Sequence, residues 1–203
     1  LGYYNRARNL KAAAQMIMSE YGGCLPASFD ELIRLPGIGS YTAGAIASIA
    51  YGIPLPAVDG NVLRVISRIL GDREDIKKAS VKTGMEQELK AVMPADEASH
   101  YNQGLIEIGA LVCIPGGEPK CSECPLASVC LTKKNGWWKE IPYKSPAKAR
   151  KIEKRTVFII EYQDKVAIHK RPPKGLLAAL YELPNVLGYP GPEEVPEVLG
   201  LEP

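Results

Sequence analysis

Four of the five cysteines crowd into one short stretch, spaced Cys113-x7-Cys121-x2-Cys124-x5-Cys130. Thiolates gathered this closely suit a soft metal ion or a metal cluster better than a disulfide framework spread along a secreted chain. Structural zinc sites more often pair two Cys-x2-Cys knuckles, and only Cys121 and Cys124 form one here. A four-iron cubane tolerates the uneven loops, so iron–sulfur and zinc both stand as readings, with disulfides third. A second constellation lies upstream, in Leu35–Arg68. Gly37 and Gly39 bracket Ile38 between two helix-like runs, a tight turn that leaves backbone N–H groups bare at the start of a helix, where an anion such as a DNA phosphate can bind. Asp59 then precedes Gly60-Asn61-Val62 and opens another helix. It can be an ordinary N-cap, or a carboxylate that stabilises a developing positive charge beside a phosphate-held strand.

These groups need elements to hold them. Leu10, Ala13, Ala14, Ile17, Met18 and Tyr21 recur at helical spacing, so residues 9–21 are expected to form an amphipathic helix ended by Gly22-Gly23. Its approach, Gly2 to Arg8, combines aromatic rings and arginines that can stack on bases and hold phosphates, or can serve as a surface turn. Ser28 and Glu31 form a capping-box pattern ahead of a short helix to Leu35. Tyr41 to Tyr51, rich in Ala, Gly and Ser, predicts a closely packed buried helix stopped by Gly52, Pro54 and Pro56. Val62, Val65, Ile66, Ile69 and Leu70 mark the helix after Asp59, and Lys82–Met93 and Ser99–Val112 read as two more. The cysteine loop, punctuated by Pro115, Pro119 and Pro125, is expected to be an irregular knot. Residues 132–154 shift to Lys, Gly, Pro and Trp and read as a linker. Thr156–Tyr162 and Lys165–Lys170, joined by Gln163-Asp164, read as a β-hairpin opening a second domain that also looks cut short.

At 203 residues with 46% hydrophobic composition the chain can bury a core, and more than one domain is expected. A net charge of +2 and a pI near 8.2 permit nucleic-acid binding without demanding it. No apolar run reaches the length of a membrane span, and the start has neither an initiator Met nor a signal-peptide pattern, so the chain is expected to be intracellular and truncated at its front. Cys24 stands apart and reads as a small apolar side chain. His100 and His169 lie away from other candidate ligands and from any Ser or Cys nucleophile, so no Ser-His-Asp arrangement is expected.

With the glycine hairpin, the Val58-Asp59-Gly60-Asn61-Val62 segment and the four-cysteine loop in this order, the chain resembles the helix-hairpin-helix base-excision glycosylases. It looks most like the adenine DNA glycosylases that remove adenine mispaired with oxoguanine or guanine. That narrowing rests on the opening Leu1-Gly2-Tyr3-Tyr4-x-Arg6-Ala7-Arg8-Asn9, on Asn102-Gln103 before Leu105–Ala110, and on Gly175–Pro184, which is similar to the early part of the family's inactive Nudix-like domain. No usable Nudix box follows it. The resemblance implies that Asp59 stabilises the sugar cation, that Asn61 helps arrange the site, and that Gly37, Ile38 and Gly39 hold a phosphate. Gln103 would contact the extruded adenine, and Tyr3 would wedge into the stack it leaves. Tyr41 stands where bifunctional relatives carry a Schiff-base Lys, so the reaction would be monofunctional, without a strand-cleaving step. Cys113, Cys121, Cys124 and Cys130 would ligate a 4Fe-4S cluster that shapes a DNA-contacting loop.

Two departures from the family pattern bear on this. Seven residues separate the first two cysteines where six are usual, and the family's catalytic Glu, which protonates adenine, lies before the Leu-Gly-Tyr-Tyr motif and outside this sequence. The expectation is therefore a mainly α, two-lobed helix-hairpin-helix glycosylase body over residues 1–131, a linker over 132–154, and part of a Nudix-like α+β domain over 155–203. It would be a monomer acting on double-stranded DNA with an adenine mismatch, cytoplasmic and nucleoid-associated if bacterial. As it stands, the chain would be impaired for want of the Glu. A thymine or uracil mismatch glycosylase of the same fold, a non-catalytic DNA-binding module and a structural zinc protein are the competing readings.

Overall fold

The computed structural model describes residues 4–200, which divide after Pro146 into two compact units. The first unit is helical. Helix α1 (Tyr4–Glu20) begins five residues earlier than the apolar periodicity indicates, because nothing in Asn5-Arg6-Ala7-Arg8 breaks a helix. Residues 4–8 are thus helix and not an approach. Leu10 and Met18, expected on its packed face, are exposed, and α1 is anchored instead through Ala13, Met16 and Ile17. Helix α2 (Phe29–Leu32) is a single turn. Ser28 occupies its N-cap position without a side-chain cap bond, so the expected capping box does not form on so short an element.

Helix α3 (Ser40–Tyr51) follows the glycine hairpin, α4 (Gly60–Leu70) follows Asp59, and α5 (Ala79–Val92) and α6 (Ala98–Glu107) complete the body. The run expected as one helix to Val112 changes at Ile108, where a π-helical turn over Ile108–Val112 re-aims the chain toward Cys113.

Two apolar clusters make the body two-lobed. Leu32, Leu35, Ala43 and Ala47, with Ala13, form the hairpin lobe; Val58, Val62, Val65, Met85, Leu89 and Leu105 form the other. Both Val58 and Val62 are buried, so the backbone on either side of Asp59 is fixed by packing. The small residues of α3 have the packing role their composition suggests. A Cβ on Gly44 would overlap the Pro56 carbonyl oxygen and lie 3.0 Å from its carbon. Asn102 on α6 then staples the same segment: its Oδ1 accepts from Ala57 N (2.9 Å), while its Nδ2 donates to Leu55 O and Ser48 Oγ (both 2.8 Å). Gly44→Ala must push the strand of chain leading to Asp59 off α3, and is expected to lower stability by about 3 kcal/mol in urea unfolding. A melting curve unchanged by this substitution would refute that packing.

Residues 132–146 belong to the first unit and are not a linker. Helix α7 (Leu131–Asn135) and a 3-10 turn at Trp137–Lys139 pack there, and Ile141 is 1% exposed. The reason is Arg68 of α4, whose Nε donates to Ile141 O (2.8 Å) and whose Nη2 donates to Trp138 O (3.2 Å).

The second unit, described by itself, holds three short antiparallel ladders. β1 (Arg155–Val157) pairs with β6 (Asn185–Leu187), β2 (Glu161–Tyr162) with β3 (Lys165–Val166), and β4 (His169–Lys170) with β5 (Tyr181–Glu182). The expected hairpin is present at β2–β3, its turn made by Gln163 and Asp164 at φ 47° and 61°. The flanking residues leave it to pair elsewhere. A short helix α8 (Val195–Leu199) follows, and none of the described residues of this unit is fully buried. No helix among the described residues is long and apolar enough to cross a membrane.

Candidate active site and cysteine cavity

The hairpin between α2 and α3 holds the three residues expected to meet a phosphate, Gly37, Ile38 and Gly39. Gly37 adopts φ +83°, a conformation side chains resist, and a Cβ there would meet Asn9 of α1 at 2.8 Å. Ile38 N is used on Leu35 O (3.1 Å), so of the three expected phosphate-binding residues it contributes backbone shape more than a free donor. Gly39 is the N-cap of α3 in extended conformation, with no side chain to satisfy the first-turn amides. Lys82, from α5, donates to Ser40 Oγ at 2.9 Å and brings a cation to this helix start. Nothing local to the hairpin signals that lysine. Tyr41, in the first turn of α3, is half-buried.

Asp59 is an N-cap, and more is built on it than a cap requires. Its Oδ1 accepts from the N–H groups of Asn61 and Val62 (both 2.8 Å), and its Oδ2 accepts from Asn61 Nδ2 at 3.0 Å. Three donors orient a half-buried carboxylate with a lone pair still free. Asn61 is held in turn, because Arg64 Nη2 donates to its Oδ1 (2.9 Å). Arg64 is 4% exposed and spends its other donors on Gly109 O (Nη2, 2.7 Å) and Cys113 O (Nε, 2.8 Å). Burial pulls the Arg64 guanidinium below its usual range; Arg68 acts the same way, and Cys113 and Asp59 oppose both. Close approach makes this possible: a Cβ on Gly109 would sit 2.7 Å from Asn61 Cβ. Asp59, Asn61 and the turn that delivers Cys113 therefore form one hydrogen-bonded unit.

Cys113, Cys121, Cys124 and Cys130 line a single cavity of about 250 Å³. Among the described residues no three His, Cys, Asp or Glu side chains group closely enough to hold a single metal ion. Two donors point at sulfur: Arg68 Nη1 at Cys113 Sγ (3.2 Å) and Lys133 N at Cys130 Sγ (3.4 Å). Burial pushes the Cys121 thiol up, and the neighbouring Cys130, Cys113 and Cys124 push it further. The four candidate ligands thus line one cavity, while Cys24, read as a small apolar side chain, is an exposed thiol apart from them.

Gln103 is exposed and turned back on its own helix, its Nε2 donating to Ser99 Oγ at 3.0 Å. Tyr3 lies outside the described residues. His100 and His169 pair with Glu97 (2.6 Å) and Glu182 (3.0 Å), as unremarkable surface partners. Arg64 and Arg68 carry no role in the sequence reading, and Asn102 and Gly109 enter it only as parts of a motif. For the two arginines a signal existed: Asn61, Arg64 and Arg68 recur at helical spacing on one face of α4, where polar residues break an otherwise apolar pattern.

A helical body built around a glycine hairpin, with a capped Asp and a cysteine loop beyond it, defines the class of helix-hairpin-helix DNA glycosylases. The model of the helix-hairpin-helix motif matches residues 20–49. The chain is 35% identical to endonuclease III in a non-covalent complex with DNA, with a TM-score of 0.56 over 66% of this chain and 60% of that one. It is 29% identical to a thermostable thymine-DNA glycosylase, with a TM-score of 0.55 over 64% and 59%. Among sequences, it is 34% identical to the adenine DNA glycosylase of Buchnera aphidicola subsp. Schizaphis graminum over 91% of this chain and 53% of that protein. It is 43% identical to the Homo sapiens adenine DNA glycosylase over 66% and 24%. The chain is similar to adenine DNA glycosylases along about nine tenths of its own length, and it spans about half the length of the bacterial relatives it matches.

Proposed function

We propose that this chain supplies the sugar-stabilising half of a monofunctional adenine glycosylase acting in base-excision repair on adenine opposite oxoguanine or guanine. The observation that carries the proposal is the Asp59 carboxylate, held by three N–H donors directly beyond the hairpin lobe. A phosphate of the duplex binds at Gly37–Ser40, where the amides and Lys82 meet it. Adenine leaves the stack, a step that is least costly at a mismatch, and Gln103 swings from Ser99 to read its edge. As the N-glycosidic bond breaks, positive charge grows on the sugar, and Asp59 faces it with an orientation that needs no rearrangement. Water completes the hydrolysis, and adenine departs with a proton from the Glu expected ahead of Leu1. Tyr41 offers no amine, so no Schiff base to the sugar forms. Tyr3 fills the gap in the stack.

Cys113, Cys121, Cys124 and Cys130, which line one cavity, would hold a 4Fe-4S cluster; their uneven spacing, with one Cys-x2-Cys knuckle, favours it over a single structural zinc. Such a cluster supplies fixed charge and a rigid loop, not hydrolysis. Residues 155–203 are proposed as part of a Nudix-like domain that helps read the base opposite adenine.

The likeness to the thymine-DNA glycosylase supports a second reading, release of thymine or uracil from mismatches with guanine. The deciding experiment compares duplexes carrying A opposite oxoguanine, A opposite G, T opposite G and U opposite G, using protein that includes the segment ahead of Leu1. Adenine release from the first two alone is the expected result. Release of thymine or uracil instead would replace the substrate, and duplex binding without release of any base would leave a DNA-binding module.

A further inference from the structure

Thr132 follows Cys130 by two residues, in the first turn of α7, and is 3% exposed. The residue is among those lining the same cavity as the four cysteines, and its buried hydroxyl has no hydrogen-bond partner among the described residues. A helical threonine ordinarily donates to the carbonyl three or four residues back, but here those residues lie in the cysteine loop, ahead of the helix. A buried hydroxyl left unpaired destabilises a fold, and valine would fill the same space without that loss. Two other buried hydroxyls, Tyr21 and Ser67, also lack partners, yet neither lines this cavity.

We propose that the Thr132 hydroxyl donates a hydrogen bond to a sulfur of the cluster seated among Cys113, Cys121, Cys124 and Cys130, and so tunes that cluster. The inference rests on the iron–sulfur reading given above. Thr132 joins two donors already aimed at sulfur, Arg68 Nη1 on Cys113 and Lys133 N on Cys130. A donor to sulfur draws electron density from the iron–sulfur bonds and favours the reduced, more negative cluster, which raises its reduction potential. Thr132 is a tuning residue; it touches neither DNA nor the reacting sugar in this scheme.

The test uses the full chain, purified without oxygen, as wild type, Thr132→Val and Thr132→Ser. Iron and sulfide content and the visible absorbance report whether the cluster is there. Resonance Raman frequencies of the iron–sulfur stretches, which need no redox cycling, report the hydrogen bond, and the midpoint potential reports its consequence. Equal iron in all three proteins is expected, with the stretches of Thr132→Val moved to higher frequency, its potential more negative, and Thr132→Ser close to wild type. A Val variant with full iron whose spectrum superimposes on that of the wild type overturns the proposal, as does an equal shift in Val and Ser, which would trace it to packing. A wild-type protein that is colourless and free of iron overturns the cluster reading itself, and the metal analysis distinguishes that failure from the other.

Discussion

Asp59→Asn is expected to reduce adenine release by about 10³-fold or more while leaving mismatch binding within a few-fold of wild type, in protein that carries the upstream Glu segment. The substitution separates two roles that coincide in one side chain. As a helix cap, Asn is nearly as good as Asp, and its Oδ1 can still accept from Asn61 N and Val62 N. The other oxygen becomes an NH₂ group, which then faces Asn61 Nδ2, a donor 3.0 Å away. Relief by flipping the Asn61 amide would set its NH₂ against Arg64 Nη2, so one hydrogen bond is lost either way. That costs about 1 kcal/mol of stability, visible as a small shift in a urea midpoint and too little to unfold the domain. The negative charge is gone completely, and with it the group proposed to face the growing sugar cation. Single-turnover release and gel-shift binding measured side by side decide the matter. Release within tenfold of wild type would mean that Asp59 is a cap and that the cation is stabilised elsewhere.

Local chemistry made part of this site legible. Pro54 and Pro56 end one helix, Asp-Gly-Asn opens the next, and each decision is taken within a few residues of sequence, so α3, α4 and the position of Asp59 followed from the pattern. The cysteines converge because they are adjacent in the chain. What was hidden depends on distant partners. Arg64 and Arg68 are buried charges only because carbonyls at Gly109, Cys113, Trp138 and Ile141 come to meet them. For the same reason residues 132–146, with the Lys, Gly and Trp content of a linker, are packed: Arg68 of α4 supplies donors to Trp138 O and Ile141 O. Gln103 shows the opposite limit. Its position on α6 could be assigned, but the direction of an exposed side chain, here folded back on Ser99, is not written in the helical pattern.

Arg64→Leu is expected to lower stability by about 3–5 kcal/mol, a large fraction of what holds a domain of this size together. Leucine fills part of the volume but supplies no donor, so Asn61 Oδ1, Gly109 O and Cys113 O are left without the one group that satisfies them in a buried setting. The consequences run both ways along α4. Toward the active site, Asn61 loses its anchor, and the Nδ2 that braces Asp59 Oδ2 is no longer fixed. Toward the cavity, the Cys113 carbonyl is released at the end of the π-helical turn that aims this cysteine, and on the cluster proposal iron per chain falls. Arg64→Lys should be intermediate, since one ammonium can reach one or two of the three acceptors but lacks the planar fork that spans them. Urea unfolding and iron content measured on both variants test this ordering. Were Leu and Lys to unfold at the wild-type midpoint, the bonds from Arg64 would be incidental, and Asp59 and the cysteine loop would have to be positioned independently of each other.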